Sequence, residues 1–311
     1  MCLIYRLVQK LTTNNRLLMN KDYIVVLMST YNGEKNIREQ IDSILSQKSV
    51  NLYLLIRDDG SKDSTISILK EYEKNDNVKV VYGENIGAKE SFLWLIDNAP
   101  SSNYYSFSDQ DDVWNSDKLI SAVSILKKYG YVLYHGLAGK VDRNLKPIYT
   151  SPYQPIDSFG AALLSSATGC TMVFTNKLMG KLRLYHPTRI SMHDAWVYRV
   201  CYALGYKVYY DPVSHMKYRQ HENNVSGGQM TFTQKYNRIL KNKDLKYKVA
   251  LDIYDGFKNE MPITQKETIE LFLDYKKNFY GKLKVLISNR FNQKKFFTTI
   301  QNKILFMLNL I

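Results

Sequence analysis

The chain has 311 residues, of which 45% are hydrophobic and 23% are charged, and its formal net charge is +14. This composition indicates a globular protein and excludes a disordered one. The three cysteines, Cys2, Cys170 and Cys201, form no disulfide framework, lack the spacing of a structural zinc site and suit a reducing compartment. No apolar run is long enough to span a bilayer, and the N-terminal apolar stretch is too short and too interrupted for a signal-peptide core.

The first strand is predicted at Tyr23, after an N-terminal extension over residues 1–21. YIVVLMS (23–29) is a continuous apolar run, which is typical of a strand buried on both faces. After the polar segment TYNG (30–33), Ile37, Ile41 and Ile44 recur at the spacing of a helix that buries one face.

Three further units repeat this order. LYLLI (52–56), VKVVY (78–82) and YYSF (104–107) each run into a polar cluster and then into helical spacing. Four strand–loop–helix units predict a mostly parallel sheet covered by helices. Because ligands bind at the carboxyl ends of the strands in such sheets, the polar clusters are the first candidates for a functional site.

The densest cluster is DQDD, at the end of the fourth strand. Asp109, Asp111 and Asp112 repel one another unless a cation or a ligand rich in hydrogen-bond donors lies among them. A solvated turn before a helix is the plainer interpretation of an isolated acidic triplet.

Two common phosphate-binding motifs are missing, since neither GxGxxG nor GxxxxGK[ST] occurs at the first strand or elsewhere. The carboxylates that remain offer different chemistry. Asp59, after the second strand, could accept a hydrogen bond from the N–H of a base. Asp109 and Asp111 could bind Mg²⁺ or Mn²⁺ that bridges a diphosphate, and such a cation would neutralise charge on a diphosphate leaving group.

A second polar cluster, MHDAW, contains His193 and Asp194 and follows a predicted strand at TMVF (171–174). Asp194 comes just before an apolar helix, so its plainer interpretation is an N-cap.

Taken in order, MSTYNG, RDDGSKDST, FSDQDDVW and MHDAW resemble the family 2 glycosyltransferases with the GT-A fold, over roughly residues 22–228. Together with TGCTMVF and YRQHENNVSG, the same motifs most resemble bacterial rhamnosyltransferases that build surface polysaccharides. The resemblance implies an α/β protein that moves L-rhamnose from dTDP-L-rhamnose, with inversion, to a hydroxyl of a growing lipid-linked polysaccharide. A UDP-hexose donor is the alternative within the family.

The resemblance also implies residue roles. The donor nucleotide sugar would be bound by Thr30, Tyr31, Glu34, Asp58, Asp59, Asp109 and Gln110. The divalent cation, Mn²⁺ or Mg²⁺, would be held by Asp111 with Asp109 and His221. Asp194 would be the general base. The family more often has Glu-Asp where this chain has His193-Asp194, which leaves the charge beside the base open.

The region over residues 229–311 is predicted to be a basic, mostly helical appendage. From Thr231 to Ile311 there are 16 Lys or Arg against 7 Asp or Glu. Its aromatic and basic residues suit a small helical core with solvated faces. A sharper hypothesis is a surface that contacts anionic lipid, where a polyprenyl-linked acceptor would reside. We therefore expect a cytoplasmic protein with peripheral contact at the inner face of the cell membrane.

Two other functions are weighed against this one. A nucleic-acid-binding protein could use the basic aromatic region, but its basic residues are spread over several helices and no nucleic-acid motif is present, so no nucleic-acid partner is expected. A nucleotidyltransferase would also use a carboxylate pair with a metal at a sheet edge, but it would not need a base at Asp194.

Overall fold

The computed structural model describes residues 22–150, 155–190, 192–220, 237, 240–242 and 244–311. The predicted N-terminal extension (1–21) and His221 lie outside the described residues. The strands within these ranges are β1 (Tyr23–Thr30), β2 (Asn51–Asp58), β3 (Val78–Tyr82), β4 (Tyr104–Ser108), β5 (Val113–Trp114), β6 (Leu133–Gly136), β7 (Gly139–Val141), β8 (Val173–Thr175), β9 (Val208–Asp211) and β10 (Met216–Arg219). The helices are α1 (Ile37–Leu45), α2 (Thr65–Tyr72), α3 (Ala88–Asn98), α4 (Lys118–Tyr129), α5 (Phe159–Leu163), α6 (Asn176–Leu182), α7 (His193–Ala203), α8 (Leu245–Phe257), α9 (Ile263–Asp274), α10 (Phe279–Ile287) and α11 (Phe296–Met307).

The central sheet has the strand order β3-β2-β1-β4-β8-β6-β9. β1, β2, β3 and β4 are parallel, β8 runs antiparallel between β4 and β6, and β9 is parallel to β6. The prediction of a mostly parallel sheet built from four strand–loop–helix units is confirmed.

A second, three-stranded sheet has the order β5-β10-β7. β10 is antiparallel to β5 and parallel to β7. This small sheet ties the segment after the acidic cluster to residues that lie about a hundred positions later in the chain, and the sequence analysis did not predict it.

β1 lies at the centre of the protein core because both of its faces are apolar. Ile24, Val26 and Met28 pack on one side with residues of α1 and α4. Val25 and Leu27 pack on the other side with residues of α3 and α7. Such two-sided burial is what a continuous apolar run in a parallel sheet predicts.

The C-terminal helices pack into the same core. Phe257, Phe272 and Phe306 belong to the buried cluster that also contains Val25 and Leu27. Helices in the C-terminal region were predicted, whereas a core shared with the sheet was not. The division into domains at residues 228 and 229 stays a prediction.

Asp252 of α8 fastens this region to the segment that precedes α7. Its carboxylate is fully buried and accepts hydrogen bonds from the backbone N–H groups of Thr188 and Arg189, at 3.0 and 2.6 Å. The guanidinium of Arg189 donates to the same carboxylate at 3.0 Å.

None of the helices in the described part of the chain has the length and apolar character needed to cross a membrane.

Candidate active site

The main cleft lies at the carboxyl edge of the central sheet and has a volume of about 1110 Å³. The register of the sheet explains its position. Thr30 pairs with Asp58, and Met28 pairs with Ser108, so β1, β2 and β4 end side by side. Residues that follow these ends line the cleft together with residues 166–169 and 192–195.

Gln110 joins the end of β1 to the acidic loop. Its Oε1 accepts hydrogen bonds from the Thr30 hydroxyl at 2.6 Å and from the Tyr31 N–H at 2.8 Å, and its Nε2 donates to the Tyr31 carbonyl at 3.1 Å. Gly33 lies so close that a Cβ there would be 2.5 Å from Gln110 Oε1. Tyr31 and Gln110 line the cleft, whereas Thr30 is buried behind them.

Asp58 and Asp59 were both predicted to bind the nucleotide, but only Asp59 lines the cleft. Asp58 is buried, is not among the cleft-lining residues, and accepts a hydrogen bond from the Ser61 N–H at 3.0 Å, which closes the turn after β2. Asp59 lines the cleft and forms a buried ion pair with Arg57. Its carboxylate also accepts the N–H groups of Ile86 and Gly87 at 3.0 and 2.9 Å, at the start of α3.

Glu34 is exposed at the rim of the cleft. Its Oε2 accepts the N–H of Ser64 at 2.9 Å, and its own N–H donates to Asp63 at 3.1 Å. These bonds tie the loop after β1 to the loop before α2, so Glu34 helps to shape this rim of the cleft.

Asp109 and Asp111 both line the cleft, as the prediction of a cation site requires. The closest group of donors, however, joins Asp109 to Asp112 and Cys170, with one ligand atom of each lying within 4.8 Å of the others. Burial, followed by the charges of Asp111 and Asp194, raises the pKa of Asp109 to about 7. Burial and the neighbouring carboxylates also raise the pKa of Asp112 well above its usual range.

This group of donors fits a divalent cation. Asp112 is fully buried; its Oδ1 accepts the N–H of Arg219 at 3.1 Å, whereas its Oδ2 has no hydrogen-bond partner among the described residues. Carboxylate oxygens are the donors that Mg²⁺ and Mn²⁺ prefer, and a cation would offset their mutual repulsion. Cys170 was not predicted from the sequence as part of this group, although it lies in the TGCTMVF segment named above.

Asp194 lies in the first turn of α7 and lines the cleft. Its Oδ1 accepts the N–H of Ala195 at 2.6 Å, and its Oδ2 accepts the N–H of Gly169 at 3.1 Å. Burial raises its pKa, and these two backbone bonds offset part of that effect. The N-cap of α7 is Met192, so the plainer interpretation of Asp194 as N-cap is wrong.

His193 precedes Asp194 in the chain, so its protonation state decides whether a charge lies beside that carboxylate. It is buried against Phe92, with ring centroids 3.7 Å apart, and its edge meets Phe107. Burial lowers its pKa to about 3, so the imidazole is neutral at pH 7. His193 therefore brings no charge to the neighbouring carboxylate.

Arg219 of β10 is a residue that sequence reasoning passed over. Its Nε donates to the Asp111 carbonyl at 2.9 Å, and its two terminal nitrogens donate to the Arg143 carbonyl and to Glu39, each at 2.6 Å. Because its own N–H also binds Asp112, Arg219 holds the acidic loop in place. His221, predicted as a cation ligand, lies outside the described residues.

The arrangement combines two chemical functions in one cleft. It holds an acidic group that fits a cation and, near it, the desolvated carboxylate of Asp194. A carboxylate with a raised pKa is a better proton acceptor, so Asp194 can act as a general base toward a ligand held in the cleft.

A sequence model described as glycosyl transferase family 2 matches residues 25–201. A curated relative, the dTDP-rhamnosyl transferase RfbG of Shigella flexneri, is 30% identical over 224 residues, which is 68% of this chain and 78% of that protein.

Two solved structures share the fold at 15% identity. TarS of S. aureus, solved in complex with UDP-GlcNAc, has a TM-score of 0.60 over 91% of this chain and 81% of that one. The mannosyltransferase PcManGT of Pyrobaculum calidifontis, in complex with GDP-Man and Mn²⁺, has a TM-score of 0.53 over 93% and 86%. These likenesses agree with the predicted GT-A architecture.

Proposed function

Because the chain belongs to glycosyl transferase family 2, we propose that it transfers L-rhamnose from dTDP-L-rhamnose to a hydroxyl of a growing, lipid-linked surface polysaccharide, with inversion. The chain is a glycosyltransferase with a nucleotide-sugar donor. The rhamnose donor is supported by the 30% identity to RfbG. A UDP-hexose donor is the second candidate, favoured by the fold shared with the UDP-GlcNAc-bound TarS.

One observation carries the mechanism: Asp194 faces the same cleft as Asp109 and Asp111 and lies close enough for its charge to raise the pKa of Asp109. The donor diphosphate would lie toward the acidic loop and the acceptor hydroxyl toward Asp194. Asp194 takes the proton of that hydroxyl while its oxygen forms a bond to the anomeric carbon. The bond from that carbon to the diphosphate oxygen breaks on the opposite face, and the nucleoside diphosphate leaves with the bonding electrons.

Asp109, Asp111 and Asp112 would hold the divalent cation, Mn²⁺ or Mg²⁺, with Cys170 beside them. When bound, the cation supplies positive charge that stabilises the leaving diphosphate. The neutral ring of His193 adds no positive charge that would lower the pKa of Asp194, which burial raises.

The test is nucleoside diphosphate release from a panel of donors: dTDP-L-rhamnose, UDP-glucose, UDP-galactose and UDP-N-acetylglucosamine, each with Mn²⁺, Mg²⁺ or EDTA. We expect release from dTDP-L-rhamnose that EDTA abolishes and that Asp111→Asn reduces by at least a hundredfold. The exposed Asp76→Asn variant is the control for loss of a carboxylate away from the cleft and should keep full activity. Preferred release from a UDP-hexose would overturn the rhamnose assignment, and failure to bind any nucleotide sugar would overturn the proposed reaction.

A further inference from the structure

The two last helices turn apolar residues toward solvent. On α10, Phe279, Tyr280, Leu283 and Ile287 follow one helical stripe, and the exposed fractions of Phe279 and Ile287 are 79% and 70%. The opposite stripe is buried, since Gly281 and Val285 lie in the interior. An exposed stripe of this kind is not needed to fold α10.

α11 repeats the pattern over a longer stretch. Its exposed stripe consists of Phe296, Phe297, Ile300, Ile304, Met307 and Leu308. Phe306, on the opposite stripe, packs into the core with Phe272 and Tyr275. Lys282 of α10 donates to the Met307 carbonyl at 3.3 Å, so the two helices lie side by side on the surface. We call these two stripes the C-terminal apolar surface.

The segment that carries this surface is basic. Between Tyr275 and Ile311 there are eight lysines and arginines and no acidic residue. Some of them are neutralised by acids elsewhere in the fold, as Arg290 is by Glu267. Lys284, Lys295 and Lys303 form no ion pair with the acidic residues that the structure describes. An apolar stripe flanked by cations is the pattern of a helix that lies in the interface of an anionic bilayer.

The loop between α10 and α11 also contacts the cleft wall. Gln293 donates to the Ala161 carbonyl at 3.1 Å and accepts a hydrogen bond from the Ser165 hydroxyl at 3.3 Å. Ser166, the next residue, lines the cleft on the side of Asp194. If α10 and α11 lie against a bilayer, residues 161–166, and with them this part of the cleft, are therefore held near the bilayer.

We propose that the C-terminal apolar surface docks the enzyme on a membrane that contains anionic phospholipid. Phe296, Phe297 and Ile304 insert at the level of the acyl chains, and the unpaired lysines meet the headgroup phosphates. A second copy of the chain fits less well, because two such surfaces would bring like charges together. Docking is tested without substrate, so its outcome is independent of the donor proposed above.

The experiment is flotation of the full chain with vesicles of phosphatidylcholine alone, or with about one third phosphatidylglycerol. We expect binding to the anionic vesicles that weakens with salt, because surface attraction is screened. Replacing Phe296, Phe297 and Ile304 together by Ser should weaken binding at least tenfold. The matched control replaces the exposed apolar Leu184 and Val213 by Ser and should bind as the wild type does.

Two double Lys→Glu variants distinguish docking through the C-terminal apolar surface from attraction caused by the net positive charge of the whole protein. Lys284→Glu with Lys295→Glu should weaken binding to anionic vesicles at least tenfold, whereas Lys48→Glu with Lys74→Glu, at exposed positions elsewhere, should have little effect. Equal losses in both pairs, no vesicle binding by the wild type, or a wild-type dimer that the triple Ser variant converts to a monomer would each overturn the proposal. Thermal melts of all variants show whether a loss reflects unfolding.

Discussion

The backbone N–H of Gly169 donates a hydrogen bond to Oδ2 of Asp194 at 3.1 Å. The bond holds the carboxylate in place at the cleft and uses only one of the lone pairs of Oδ2. A Cβ at position 169 would lie 3.0 Å from the Asp194 Cβ, so glycine is what allows this approach. The base is thus positioned by the backbone of the segment that lines the cleft beside it.

Asp194→Asn should reduce the rate of sugar transfer by about 10²- to 10⁴-fold, the usual contribution of a general base. An amide keeps the shape of the carboxylate but does not accept the proton. Donor affinity, measured by titration calorimetry with the nucleoside diphosphate, should change by less than about threefold, because the residues proposed to bind the donor are untouched. Transfer within threefold of the wild type would contradict the assigned role.

Gln110→Ala should lower the free energy of unfolding by about 1–3 kcal/mol, since three hydrogen bonds to Thr30 and Tyr31 are lost. It should also raise KM for the donor, because Tyr31 lines the cleft in which we propose that the donor binds. Urea unfolding and initial-rate kinetics measure the two effects.

Gln47→Ala is the control for that variant. Gln47 bridges backbone groups in a similar way, donating to the Asn115 carbonyl at 2.7 Å and accepting the Leu119 N–H at 3.0 Å, but it does not line the cleft. We expect a comparable loss of stability with unchanged KM. A raised KM in both variants would show that destabilisation alone explains the kinetic effect of Gln110→Ala.

Arg57→Met should lower the free energy of unfolding by about 3–5 kcal/mol, because it leaves the buried carboxylate of Asp59 without its charge partner. Arg38→Met breaks the exposed pair with Glu71, at 2.8 Å, and should have a much smaller effect. Guanidinium unfolding of both variants provides the comparison. Equal losses would mean that the burial of the Arg57–Asp59 pair has no energetic consequence.

The two buried histidines should make the protein less stable as the pH falls below about 6.5. Burial lowers the pKa of both His135 and His193 to about 3, whereas in the unfolded chain they titrate near 6.5. Between these values the unfolded state binds more protons than the folded state, so stability is lost as the pH falls. Asp109, with its raised pKa, contributes with the opposite sign.

The contribution of His193 to this pH dependence is measured by comparing His193→Gln with the wild type. His193→Gln should unfold more easily at pH 8 because packing is lost, but its stability should fall less steeply between pH 6.5 and 4 than that of the wild type. Chemical unfolding at a series of pH values gives both slopes. Identical slopes would mean that His193 takes up its proton without unfolding.

The sequence predicted the elements whose signal is local. The continuous apolar run at Tyr23 and the aromatic run at Tyr104 form neighbouring parallel strands, so the polar segments after them lie at the same edge of the sheet. Asp109 could be assigned to the cleft because the ends of parallel strands lie at one edge of the sheet. Asp194 could be assigned to the same cleft only through the resemblance of MHDAW to the family motif.

What the sequence did not predict depends on contacts between distant residues. β5 consists of Val113 and Trp114, too few residues to show a periodicity, and its partner β10 begins at Met216. The approach of Cys170 to Asp112 likewise depends on how the chain folds back, which hydrophobic spacing does not report.

The shared core has a consequence for synthesis of the protein. Val25 and Leu27 leave the ribosome early, but Phe306, which belongs to the same buried cluster, is made near the end of this sequence. Until then α7, which covers this face of the sheet, lacks part of the outer layer of helices that packs on it, and apolar surface left open is prone to aggregate. Translation of this chain should therefore depend on chaperones that shield that surface until α11 emerges.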